Sequence, residues 1–201
     1  MDRIIKSVID FRSLESLSVL VLKSTQTPSF PPLPKSIRVL DISENQKIQW
    51  SLQDLVASPL PNLESFKVDD NPEIENVHVS VILAPSRKNN SLRSLSLKNC
   101  PKMDFHSLEW LMKHGESIEE LSIGGNSTIT DEVLKEVAKL GKLRYLELYD
   151  CGISGIGLMS VVNGSLGALR EVRIFGCKDI SSYCVQLAAE SGVKVNIRRL
   201  G

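Results

Sequence analysis

Three histidines, four cysteines and one Gly-Gly pair are the residues of this 201-residue chain whose types could do chemistry. His78, His106 and His114 stand at no spacing that makes a zinc-binding HExxH helix, and no GxSxG or phosphate-cradling glycine loop is present. Gly124-Gly125 runs straight into Asn126 and so lacks the helix start that a phosphate loop needs. Cys100, Cys151, Cys177 and Cys184 contain no CxxC pair, which argues against a zinc site or a redox motif. The expectation is a protein with no catalytic residues, no metal and no cofactor, whose cysteines are reduced and structural.

What Cys100, Cys151 and Cys177 share is a place in a recurring pattern. LRYLELYDC, from Leu143 to Cys151, carries apolar residues at positions 1, 4 and 6 and a cysteine at position 9. The same spacing recurs in IRVLDISEN from Ile37, LESFKVDDN from Leu63, LRSLSLKNC from Leu92, IEELSIGGN from Ile118 and LREVRIFGC from Leu169. A looser copy, LSVLVLKST, begins at Leu17, and residues 193–197 read as a shortened last strand. Steps of 20 to 29 residues are those of a leucine-rich repeat. Each unit is too small to bury its own apolar face, so the expected fold is α/β: one curved solenoid over 1–201, with a parallel sheet on the concave face and helices and extended segments on the convex face.

The segments between strands differ in kind. Residues 1–13 place Ile4, Ile5, Val8, Ile9 and Phe11 at helical spacing and read as a preceding helix or cap. TQTPSFPPLPKS holds four prolines and predicts an extended return. In PEIENVHVSVILAPSRKNN, Val77, Val79 and Val81 alternate with polar residues, which predicts a short apolar segment and then a mobile loop. From Leu92 onward, FHSLEWLMKHG, TDEVLKEVAKLG, SGIGLMSVVNG and SSYCVQLAAESG read as helices ending at glycine, with Thr130 the best N-cap.

Alternation along a strand turns positions 3, 5 and 7 away from the core. Those positions are small in the middle of the stack and gather Tyr145, Glu147, Tyr149, Glu171, Arg173 and Phe175 toward its end. Exposed aromatics beside an arginine are the usual makeup of a protein-binding hot spot. Lys194 and Arg198 on the last strand, with Arg199 beside them, extend this candidate partner-binding patch with positive charge.

Composition narrows the classes further. Lys plus Arg and Asp plus Glu are 24 each, so bulk charge points to neither nucleic acid nor an anionic membrane as partner. The distribution is uneven, with eight acids against three bases over 38–84 and six bases against three acids over 167–201. There is no apolar run of membrane-spanning length and no leader pattern at Met1, so the expected setting is the cytoplasm or nucleus.

NSTITDEVLKEVAKLGKLRYLELYDC and CKDISSYCVQLAAESG resemble the cysteine-containing subclass of leucine-rich repeats, with Thr130-Asp131 fitting the pattern and Ser181-Ser182 departing from it at the acid. That resemblance covers residues 92–197 well and 14–91 loosely. It implies the substrate-recognition domain of an F-box protein, the variable subunit of a cullin-based ubiquitin ligase. It also implies that a Skp-type adaptor and the cullin would be bound through an F-box that these residues do not contain. LRSLSLKNCPKM and LREVRIFGCKDI are also similar to repeats of plant immune receptors, which keeps a sensor domain or plain scaffold without ubiquitin as the alternative.

Overall fold

The computed structural model describes residues 9–25, 27–105, 111, 115–164, 167–177 and 179–198. Its frame is one parallel sheet of eight strands in sequence order: β1 (Val19–Val21), β2 (Val39–Asp41), β3 (Ser65–Lys67), β4 (Ser94–Lys98), β5 (Glu120–Gly124), β6 (Tyr145–Tyr149), β7 (Glu171–Phe175) and β8 (Lys194–Arg198). The first seven begin two residues after Leu17, Ile37, Leu63, Leu92, Ile118, Leu143 and Leu169. Leu20, Leu40, Phe66, Leu95, Leu121, Leu146 and Val172 stand abreast in the ladder and are buried. Parallel neighbours require a crossover between them, and the buried residues of the described crossover segments join this row in one apolar cluster.

Among the described residues five helices lie in those crossovers: α1 (Leu52–Ala57), α2 (Asn76–Arg87), α3 (Asp131–Val137), α4 (Gly155–Gly164) and α5 (Ser182–Glu190). Serine hydroxyls accept first-turn amides at three of them: Ser51 from Asp54, Ser154 from Ile156 and Ser181 from Cys184. Thr130, the expected best cap, makes no such bond. Its backbone instead bridges to Gly152, while the Asp131 carboxylate accepts the Ser154 amide at 2.8 Å and hydroxyl at 2.6 Å. The acid that suits the helix dipole thereby also ties α3 to the start of α4.

Two other expectations are corrected. Residues 76–87 are an α-helix, not a short apolar segment followed by a loop. Val79, Ile82, Leu83 and Ser86 are its buried stripe, at helical spacing, and this outweighs the two-residue alternation of the valines. His78 Nδ1 accepts the Glu75 amide at 3.0 Å and closes the helix start, a structural task for that histidine. Helices are not confined to the second half, because α1 and α2 precede Leu92. Residues 9–13 form no helix, and Ile9 is exposed; Ile4, Ile5 and Val8 lie outside the described residues, as do His106 and His114. The described residues of the proline-rich return form no helix, Ser29 bridges to Gln49, and Phe30 and Leu33 are buried.

The turn that ends each strand is the same seven times. Ser24, Glu44, Asp70, Asn99, Gly125, Asp150 and Gly176 hold φ between 45° and 74°, a left-handed conformation that Asn, Asp and Gly tolerate best. The amide of each donates to the carbonyl of the residue at position 7 of the next repeat, for example Glu44 to Asp69, Asp70 to Lys98 and Asp150 to Phe175.

The next residue is a buried donor. Asn45 Nδ2 donates to the carbonyls of Leu22, Ile42 and Ser43, and Asn71 Nδ2 donates to those of Ile42, Val68 and Asp69. Cys100 places its thiol 3.3 Å from the Val68 carbonyl, so cysteine and asparagine serve the same groups. Burial pushes the Cys100 thiol up to about 12, which keeps it protonated and able to donate. All four cysteines are free.

Candidate functional site

Every side chain of the predicted patch lies on the sheet face turned away from the helices. One row runs Ser94, Glu120, Tyr145, Glu171, Lys194; the next runs Ser96, Ser122, Glu147, Arg173, Asn196; the third runs Lys98, Gly124, Tyr149, Phe175, Arg198. Neighbouring strands stand about 4.8 Å apart, so Tyr149 and Phe175 are immediate lateral neighbours, as are Tyr145 and Glu171. Tyr145 and Arg173 are exposed, Tyr149 and Phe175 half-buried, and Lys194 and Arg198 exposed at the sheet edge. Arg199 lies outside the described residues.

Four of the eight predicted residues are already engaged within the molecule: Glu147, and Glu171 together with Arg173 and Lys194. Glu147 Oε1 accepts from Lys98 Nζ at 2.7 Å, and Lys98 lies 3.6 Å from Asp69. This network spans β3 to β6. Asp69 is held in turn by the Ser96 hydroxyl at 2.7 Å and the Lys98 amide at 2.9 Å. Burial works against the charge on Lys98, but the carboxylates of Glu147 and Asp69 outweigh it and hold the ammonium above the ordinary lysine range. Glu171 accepts from Arg173 Nε and Asn196 Nδ2, each at 2.8 Å, and Arg173 holds its carboxyl below the usual range.

The small residues between these groups decide the relief of the face. A Cβ at Gly124 would run into the backbone and Cβ of Tyr149, so the packing of Tyr149 against β5 depends on glycine there. With Ser122 beside it, β5 offers no long side chain in two of its three outward positions, which lets Lys98 reach across to β6. A depression of about 240 Å³ results, lined by Glu120, Ser122, Tyr145, Glu147, Glu171 and Arg173. The middle of the face is therefore small but not bland. Reading positions 3, 5 and 7 strand by strand misses the Lys98 network, because the signal is a long base two strands from a long acid with Ser and Gly between.

The helix side carries a second feature that sequence reasoning missed. Ile156 and Met159 of α4 and Cys184 of α5 line an open groove of about 620 Å³, and Ile156 is 69% exposed. Gly155 keeps the two helices close at one end, where a Cβ would meet the Cys184 thiol. No helix among the described residues is long and apolar enough to cross a membrane. No family model matches the chain.

Proposed function

We propose that this chain is a leucine-rich repeat solenoid that binds another protein through the outer face of its sheet. The observation that carries the reading is the contiguous group of Tyr145, Tyr149, Phe175 and Arg173 on a face that no helix among the described residues covers. Aromatic and arginine side chains on a rigid sheet lose little conformational freedom on binding, which suits them to anchor a partner. The sevenfold recurrence of one strand and one left-handed turn, followed six times by a buried Asn or Cys, supports the repeat reading. The resemblance of residues 92–197 to the cysteine-containing subclass supports the finer one. In that reading the partner is the substrate of a cullin-based ubiquitin ligase in the cytosol or nucleus, and adaptor contacts belong to an F-box outside these residues.

Substituting Tyr149→Ala or Phe175→Ala is expected to weaken partner capture by about 30-fold each, the equivalent of about 2 kcal/mol at a hot spot. The melting temperature should stay within a few degrees of wild type. A large fall in stability with unaltered capture would instead mark both rings as packing residues of the sheet.

A further inference from the structure

The depression on the outer face has a chemistry of its own. Its volume of about 240 Å³ lies below the roughly 300–1,000 Å³ typical of small-molecule sites, so it suits one inserted side chain. Three carboxylates and one guanidinium line it, and their commitments differ. Arg173 is bound to Glu171, and Glu147 is bound from its far side by Lys98. Glu120 has no hydrogen bond or ion pair to its carboxylate among the described residues, and it stands directly beside the 45%-exposed ring of Tyr145. The pocket therefore keeps a negative excess next to an aromatic face, which is the setting for a guanidinium or ammonium. On its far side, β8 carries Arg198, which makes no ion pair among the described residues, and Lys194, which lies 4.0 Å from Glu171, so Arg198 supplies the free positive charge of the neighbouring edge.

We infer that the pocket between β5 and β7 receives a basic side chain, arginine above all, from an extended segment of the partner, with an acidic residue of the same segment set over β8. This rests on the reading that the outer face binds protein. Arginine is favoured over lysine because its planar group can lie along Tyr145 while its fork meets Glu120 and Glu147. The distance from pocket to β8 is about two strand spacings, or roughly 10 Å, which an extended peptide covers in about three residues. The partner motif is thus a base and an acid about three residues apart, and its charges complement the face in both places.

The test uses backbone amide NMR of the full chain titrated with the peptide acetyl-Gly-Arg-Ser-Gly-Asp-Gly-amide. A second peptide carries citrulline, a neutral isostere, in place of arginine. The expected result is a saturable set of shifts confined to β5–β8, about three- to fivefold weaker with the citrulline peptide and equally weakened by Glu120→Gln, as suits a partly solvated ion pair. Glu120 is exposed and unpaired, so E120Q leaves the fold intact. Absence of saturable shifts, or equal shifts from both peptides, overturns the assignment. If the peptides fail while a protein partner still depends on Tyr149 and Phe175, only the pocket assignment falls. If that dependence is absent too, the outer face is not the binding surface.

Discussion

Leu146→Ala will lower the stability of the protein by about 2–5 kcal/mol. Leu146 is 1% exposed at the centre of β6, flanked across the ladder by Leu121 and Val172, which are equally buried. Truncation removes the transfer energy of the lost methyl groups and leaves a cavity between strands that the parallel ladder holds at fixed spacing, so collapse around it is limited. Urea unfolding with a constant slope is the measurement. A change below about 0.5 kcal/mol would mean that position 4 of this segment does not face the core, and the assignment of every outward residue would shift by one with it.

Asn71→Ala will cost about 2–4 kcal/mol, and Asn71→Cys less than half as much. Asn71 is fully buried, and its amide serves three backbone carbonyls, those of Ile42, Val68 and Asp69, at 2.9 to 3.0 Å. Each net hydrogen bond is worth about 1 kcal/mol, and buried carbonyls left without a donor cost more. Alanine removes all three bonds and leaves a void. Cysteine restores a donor, as Cys100 does one turn later, and removes the Asn71 Oδ1, which has no partner where it is. Equal losses for the two variants would show that side-chain volume at this position matters and its donor does not.

Much of the frame was legible because it is written in buried positions. The 1, 4, 6, 9 spacing from Leu17 to Cys177 marks where strands β1 to β7 fall and which of their side chains turn outward. The structural role of the cysteines at position 9 was legible, but not the role Asn and Cys share there as donors to a backbone carbonyl three residues back or in the preceding repeat. Helix α2 was misread because Val77, Val79 and Val81 alternate locally, whereas its burial runs through Val79, Ile82, Leu83 and Ser86. The left-handed turns were hidden at Ser24 and Glu44, where the residue type gives no hint, and visible only in Asp70, Asn99, Gly125, Asp150 and Gly176 taken together.

The patch itself divides in the same way. That Tyr145, Tyr149, Arg173 and Phe175 would lie side by side follows from strand register alone. That Glu147 would be engaged internally does not, because its partner Lys98 comes from another strand and reaches it only across small residues, whereas Glu171 is bound by Arg173 of its own strand as well as by Asn196 of β8. Charged residues on such a face must be paired off before they are counted as available to a partner.

The most direct test of the outer face is site-specific photocrosslinking. A benzophenone amino acid would be placed at Phe175 on the sheet face or at Ile156 on the exposed side of α4, and each bait incubated with a eukaryotic lysate. Adducts to a defined protein from position 175, competed by unlabelled wild type and absent from position 156, are the predicted result. Specific adducts from position 156 with none from 175 would place the partner on the helix groove and contradict the account.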